Sequence, residues 1–309
     1  MKIAIVGPGA IGSLFASFIS KVHQDIWLID KKELRVKLIQ EKGIIVEGVS
    51  GKHQAKVNIT CDLAQVGKVD LLVIAVKAYD TKQAIEFSRS LVGEDSLVLT
   101  LQNGIGNAEI ISEAVGQEKV IVGVTNQGAT LISDGHINHA GIGETIIGRI
   151  DGKIPVQLRQ IREIFNKAGF ETRISRDIKG ILWSKLIINV GINAITAITR
   201  LNNGKITEFE GTRRVLESAV NEAVKVAKKK RIKLIYDDPL AKVEAVCEAT
   251  STNISSMLQD VLKNKKTEID FINGAITRQA QNLGIPTPVN NILVDLIKTI
   301  EATYALQLT

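Results

Sequence analysis

The stretch Lys2-Ile3-Ala4-Ile5-Val6-Gly7-Pro8-Gly9-Ala10-Ile11-Gly12 decides the fold. Its first half is a continuous apolar run, as a parallel strand buried on both faces requires. Three glycines spaced G-x-G-x-x-G follow, and helical spacing then runs through Phe18 and Ile19. Each glycine has its own task in such a turn. Gly7 permits the tight bend, Gly9 removes a side chain where a pyrophosphate must approach the backbone, and Gly12 lets the helix lie close on the strand. The helix start offers free N–H groups to phosphates. Gly7, Pro8, Gly9, Ala10, Ile11 and Gly12 are therefore candidate dinucleotide-binding residues. The competing reading is an empty glycine turn in a similar fold.

Outward from this loop, apolar runs alternate with helical patterns. Residues 25–29 (DIWLI), 71–76 (LLVIAV), 96–101 (SLVLTL) and 119–124 (KVIVGV) read as further strands. Residues 32–43, 80–91 and 105–115 read as the helices between them, the first ending at Gly43. This alternation predicts an α/β fold, a doubly wound parallel sheet with helices on both faces. Glycines at 128, 135, 141, 143 and 148 punctuate short β-like pieces, which predicts hairpins added at the sheet edge. After a last strand at 170–174 the chain turns almost wholly helical, with helix formers dominating 212–230, 239–265 and 267–282. The expected organisation is a dinucleotide-binding Rossmann domain over 1–176 and an all-helical substrate and catalytic domain over 177–309.

Asp30 ends the second predicted strand, eighteen residues past Gly12. An acidic side chain there accepts hydrogen bonds from the adenosine ribose and repels a 2′-phosphate. Lys31 and Lys32 follow at once and offer that phosphate a partner. A second reading makes Asp30 only the cap of a helix starting at Lys31.

Composition narrows the function classes. Lys and Arg number 39 against 33 Asp and Glu, a mild net charge of +6, and only residues 228–231 form a basic run. Aromatic residues are 4%, too few for a stacking surface, so no nucleic-acid partner is expected. A modest positive field suits an anionic substrate or cofactor. Cys61 and Cys247 make neither a disulfide framework nor a metal-type pair. His136 and His139 fall in a predicted hairpin and are assigned to surface structure, with no metal expected. The most apolar stretch, 186–199, carries two asparagines and falls short of the ~20 residues of a membrane span. The apolar run after Lys2 stops at Gly7, which does not suit a targeting peptide. A cytoplasmic protein with reduced thiols and no membrane partner is expected.

In the helical half, Lys185, Asn189 and Asn193 are spaced i, i+4, i+8 and share one face of a helix otherwise aliphatic. Such groups are costly to bury without partners, so they either close an internal network or line a polar cleft. A partly desolvated lysine has its pKa drawn toward neutrality, which suits it to move protons. Residues 252–274 read as a second polar helical segment, with Asn253, Ser256, Asp260 and Glu268. Asn103 lies just past a predicted strand's carboxyl end, the edge at which open α/β sheets bind ligands.

The ordered set GPGAIG (7–12), VKAYDT (76–81), QNGIGN (102–107), WSKLIINVGIN (183–193), NNG (202–204), SSMLQD (255–260) and TEIDFINGAI (267–276) resembles the ketopantoate reductase family. That family sits in the 6-phosphogluconate dehydrogenase-like superfamily, and the resemblance spans essentially the whole chain. It implies a Rossmann domain, an all-helical domain and a cleft between them. It also implies reduction of the ketone of 2-dehydropantoate to (R)-pantoate with NADPH, for pantothenate and coenzyme A synthesis. Carried over position by position, it makes Lys185 the general acid and Glu268 a catalytic acid near cofactor and substrate. It makes Lys77, Asn103 and Ala129 cofactor contacts beside the glycine loop, Asp30 and Lys31. Asn103, Lys185, Asn189, Asn193, Asn203 and Ser256 become substrate-binding positions.

One departure matters. The family commonly has a small residue and then Arg where this chain has Asp30-Lys31. A guanidinium clamps a phosphate better than an ammonium, so NAD(H) is expected to serve at least as well as NADP(H). Two other readings stand beside the family's own reaction: a related reductase of another 2-keto acid, and a non-catalytic NAD(P)-sensing protein. The long helices of the second half also offer a face for a homodimer.

Overall fold

The computed structural model describes residues 1–306, which divide into two compact units. The first comprises Met1–Gln102 and Asn107–Ile178, the second Asn103–Gly106 and the described residues from Lys179 onward.

The first unit is built from β1 (Ile3–Val6), α1 (Ala10–Ile19), β2 (Ile26–Ile29), α2 (Glu33–Lys42), β3 (Ile44–Gly48), β4 (His53–Ala55), β5 (Asn58–Thr60), β6 (Val69–Ile74), α3 (Thr81–Ser88), β7 (Val92–Thr100), α4 (Asn107–Val115), β8 (Val120–Thr125), β9 (Gly128–Ser133), β10 (His136–Gly141), β11 (Thr145–Gly148), α5 (Val156–Lys167) and β12 (Thr172–Ile174). Eight strands form one sheet in the order β12-β11-β8-β7-β6-β1-β2-β5. Every neighbour pair is parallel except β11 against β8. The chain winds outward in both directions from β1, which makes the carboxyl end of β1 the switch point where such sheets bind ligands. The expected doubly wound sheet is therefore present.

The hairpin at 128–141 is not an addition to its edge. With β3 and β4 it builds a separate four-stranded sheet, β4-β3-β10-β9, and only β11 joins the main sheet. Alternation marks a strand but not its partner, and β10 pairs with β3 some ninety residues earlier. The same sheet corrects the assignment of His139 to the surface. His139 is 3% exposed, its Nε2 lies 2.9 Å from Gln127 Oε1, and its ring meets Phe18 edge-on at 5.8 Å. Burial pushes the pKa values of His53 and His139 down. Ile44, Val46 and Ile137 of this sheet share one core with Leu14, Phe15, Phe165 and Phe170.

The second unit is helical: α6 (Ile178–Thr199), α7 (Lys205–Glu208), α8 (Glu210–Lys229), α9 (Pro239–Ala249), α10 (Ser256–Leu262), α11 (Asn273–Gln281) and α12 (Pro288–Ala302). At 22 residues α6 is long and apolar enough to cross a membrane, which the shorter stretch 186–199 had not suggested. Yet 72% of its apolar window is buried, so it is the central helix of a packed core. A Cβ at Gly191 would fall 2.8 Å from Val220 and 2.9 Å from Val243, so α8 and α9 press on that side. Asn189 lies about half a turn round the helix from Gly191, leaving the polar stripe on another face.

Two expected helices are broken. The pattern at 239–265 splits at residues 250–255, where Thr, Ser and Asn compete with the helical backbone and Ser255 caps α10 through Leu258 N–H at 3.1 Å. The segment 252–274 ends its helix at Leu262, and Asn264 takes a left-handed φ of 50°.

A buried network ties α6, α8, α11 and α12. The Glu222 carboxylate accepts from Val289 N–H at 2.9 Å, Asn290 N–H at 3.0 Å and Asn290 Nδ2 at 2.7 Å. Asn273 Nδ2 donates to Asn290 Oδ1 at 3.0 Å and to Val190 O at 3.2 Å. Glu222→Ala strands these donors and is expected to cost about 3 kcal/mol in urea unfolding. A cost under about 1 kcal/mol would show the network to be dispensable.

Candidate active site

The glycine loop occupies the carboxyl end of β1. Gly7 has φ +102°, and a Cβ at Gly12 would lie 2.0 Å from Gly7 O, so the turn itself demands both glycines. Gly9 differs. A Cβ there would meet only Ala75 O at 3.9 Å, so internal packing does not require glycine. A side chain at Gly9 would instead fill the space before the α1 N-terminus, whose first turn carries no acid. That open cradle of backbone N–H groups fits a pyrophosphate.

Asp30 follows β2, beside the loop through Gly7 N–H donating to Ile29 O at 3.0 Å. Its Oδ1 accepts from Lys31 N–H at 2.8 Å, and its Oδ2 lies 2.5 Å from Arg35 Nε. Arg35 Nη1 also stands 3.7 Å from Asp134 Oδ1. Helix α2 starts at Glu33 with Lys32 as its cap residue, so Asp30 does not cap a helix at Lys31. Arg35 was not anticipated; the available signal was an arginine one turn into the helix after the acidic strand end.

Lys77 follows β6, half-buried at the head of a 3₁₀ turn over Ala78–Asp80. Val76 Cγ1 is the atom a Cβ at Gly7 would strike, at 2.7 Å, so the two loops touch. Gln102 braces the Lys77 loop, with Nε2 donating to Val76 O at 2.9 Å and Thr81 Oγ1 at 2.7 Å. Gln102 and Thr81 were also missed; a glutamine at a buried strand end was the clue. Ala129 lies in β9, opposite His139 in register and partly buried.

The remaining candidates belong to the second unit. Asn103 leads a short segment grouped with the helices rather than with the sheet it follows. Gly104 has φ +82°, a Cβ there would fall 2.2 Å from Phe271 O, and Ile105 N–H donates to that same oxygen at 3.0 Å. The segment is thus pressed against the 3₁₀ turn Ile269–Phe271, which Glu268 precedes.

Lys185 lies on α6 with part of its side chain accessible. Burial of its ammonium is the larger effect and draws its pKa down to about 8, opposed by the carboxylate of Glu268. Glu268 is itself only 6% exposed. Asn193 is also 6% exposed and Asn189 half-buried. Among the described residues, the amides of Asn189 and Asn193 and the hydroxyl of Ser256 make no hydrogen bond to protein. Thr196 Oγ1, one turn beyond Asn193, lies 2.7 Å from Ser255 Oγ and fastens the start of α10 to α6. Asn203 donates through Nδ2 to Thr250 Oγ1 at 2.9 Å, while its Oδ1 is buried without a partner among the described residues.

Polar side chains left without protein partners on an otherwise aliphatic helix mark a face open to a ligand or to solvent, since burying them fully unpaired is costly. Here two amides stand along one helix with a lysine, and the charge of a buried carboxylate from another segment acts on that lysine. The set can donate to an anionic ligand, place an ammonium at a carbonyl oxygen and move a proton. Among the described residues, no three His, Cys, Asp or Glu side chains gather where they could hold a metal.

Comparison with known proteins identifies the family. The family model described as "Ketopantoate reductase PanE/ApbA" matches residues 3–152, and its C-terminal companion matches 177–301. A 2-dehydropantoate 2-reductase of Pyrococcus horikoshii is 36% identical over 303 residues, covering 98% of both chains. The crystal structure of a PanE/ApbA family ketopantoate reductase from Ralstonia eutropha JMP134 aligns with a TM-score of 0.91 at 32% identity, over 99% of this chain and 100% of that one. A D-mandelate dehydrogenase solved with NADH and anilino(oxo)acetate aligns with a TM-score of 0.91 at 28% identity, over 99% and 100%. On these matches, which run the length of the chain, it belongs to the ketopantoate reductase family.

Proposed function

We propose that this chain is an NAD(P)H-dependent 2-dehydropantoate 2-reductase, with the first unit holding the dinucleotide and the second the keto acid. The observation that carries the reading is Lys185, a desolvated ammonium with a pKa of about 8, in line with Asn189 and Asn193. When bound, a reduced nicotinamide supplies the hydride that the ketone carbon accepts. Lys185 meets the negative charge that grows on the ketone oxygen and donates the proton. Asn189, Asn193 and Ser256 donate to the carboxylate and accept from the hydroxyl of the substrate. Asn103 and Glu268 hold the two ends of this group in register, and the buried Asn203 Oδ1 offers one more acceptor. Lys77 and Ala129 serve the dinucleotide. Lys185 and Glu268 together count against a sensor without chemistry. We place the reaction in the cytoplasm, where Cys61 and Cys247 stay free thiols.

The likeness to a D-mandelate dehydrogenase favours a second reading, a reductase of an aromatic 2-keto acid. The deciding experiment follows oxidation of NADH and NADPH with 2-dehydropantoate and with phenylglyoxylate. A kcat/KM at least about a hundredfold higher for 2-dehydropantoate, some 2.7 kcal/mol, supports the first reading. The reverse ratio establishes the second.

The same assay carries a pH prediction. Reduction needs the ammonium form of Lys185, so its rate is expected to fall as pH rises through about 8. Oxidation of the hydroxy acid needs the neutral amine and is expected to rise over that range. Two profiles of the same sign would remove Lys185 from proton transfer.

A further inference from the structure

We propose that Arg35 is a positioning residue for the adenosine ribose, holding the Asp30 carboxylate so that the pocket takes NADH over NADPH. The inference rests on the dinucleotide reading of the glycine loop. An arginine beside that loop has two opposed meanings. A free guanidinium would clamp the 2′-phosphate of NADP(H). A guanidinium already engaged by carboxylates would instead fix the group that rejects it.

The geometry points to the second meaning. Arg35 Nε lies 2.5 Å from Asp30 Oδ2, and its Nη1 faces Asp134 Oδ1 at 3.7 Å. Two carboxylates thus meet one guanidinium, which leaves local negative charge for a phosphate to face. The side chains are 16% exposed for Arg35 and 10% for Asp30, so the pair is enclosed. Asp134 stands in the turn between β9 and β10, so the second sheet takes part in holding Arg35. Asp30 is pinned at three points: its N–H donates to Thr60 O at 3.3 Å, Oδ1 accepts from Lys31 N–H, and Oδ2 pairs with Arg35. The remaining acceptor capacity of Oδ1 suits ribose hydroxyls. Lys31 and Lys32 are exposed, where an ammonium contributes little to a phosphate contact.

The two meanings predict opposite signs for the same variant. Dissociation constants for NADH and NADPH are measured by quenching of protein or cofactor fluorescence, with adenosine 2′,5′-diphosphate and 5′-AMP as fragments. Wild type is expected to bind NADH at least about tenfold more tightly than NADPH. In Arg35→Gln the NADH constant rises by about tenfold while the NADPH constant hardly moves, so the ratio closes toward unity. Arg35→Lys restores part of the ratio, because it keeps the charge without the fork. Asp30→Asn closes the ratio by the other route, admitting NADPH. A loss confined to NADPH and to adenosine 2′,5′-diphosphate in Arg35→Gln would make Arg35 a phosphate clamp and overturn the proposal. So would an unchanged ratio accompanied by a lower Tm, which would leave Arg35 a purely structural part. Wild type binding neither dinucleotide overturns it together with the dinucleotide reading, whereas both bound without preference overturns it alone.

Discussion

Replacing Lys185 with methionine is expected to lower kcat for ketone reduction at pH 7 by about 10³-fold or more, while cofactor affinity stays within about threefold of wild type. A positioned acid contributes about 10²–10⁴-fold, and removing one charge-stabilising donor costs about 10²–10³-fold. In the proposed mechanism Lys185 supplies both from one atom, so the two losses coincide rather than multiply. Methionine keeps the methylene packing that alanine would delete from α6. It also leaves the buried carboxylate of Glu268 without its cation, so the Lys185→Met/Glu268→Gln pair separates lost chemistry from a buried unpaired charge. If the single variant melts early but the double does not, and both lack turnover, the chemical role stands. Activity within tenfold of wild type in either would end it.

The helical stripe of the candidate site is legible in the chain through periodicity. Lys185, Asn189 and Asn193 are one helical turn apart, so a local rule places them together. The glycine loop was legible for the same reason, since a strand, a bend and a helix follow each other within seventeen residues. What was not legible depends on distant segments. Arg35 acquires its meaning only through Asp30 and the turn at Asp134, ninety-nine residues later. The second sheet uses strands of three to six residues, two of them joined across some ninety residues of chain. Short strands carry little alternation, and their pairing is decided by the core they share with Phe15 and Phe170. Glu268 sits at a turn rather than on the expected helix, because the Lys263-Asn264 exit leaves helical geometry at a positive φ. Ser256, read as a polar helix residue, is the first residue of α10, and its neighbour Ser255 does the capping.

The segment at Asn103 permits a second test with a large effect. Gly104→Ala is expected to lower kcat/KM by about 10²-fold, well beyond what its loss of stability explains. A left-handed φ costs an alanine about 1–2 kcal/mol, and Gly104 stands at +82°. Its Cβ would also lie 2.2 Å from Phe271 O, a backbone atom that no rotamer change can move aside. The segment must therefore lift, and the bond from Ile105 N–H to Phe271 O goes with it, at about 1 kcal/mol. A total of about 2–3 kcal/mol leaves a domain of ordinary stability folded. What it disturbs is the register between Asn103 and the turn that follows Glu268, and a misplacement of about 1 Å can cost about 10²-fold in rate. Gly106→Ala is the matched control. Gly106 has φ +108°, but a Cβ there would meet only the Phe271 ring at 3.7 Å. It pays for the conformation without the collision, so its Tm should fall while its kcat/KM stays within about fivefold of wild type. Equal rate losses in the two variants would assign the effect to backbone conformation alone, and the close approach of Gly104 to Phe271 would lose its part in placing Asn103.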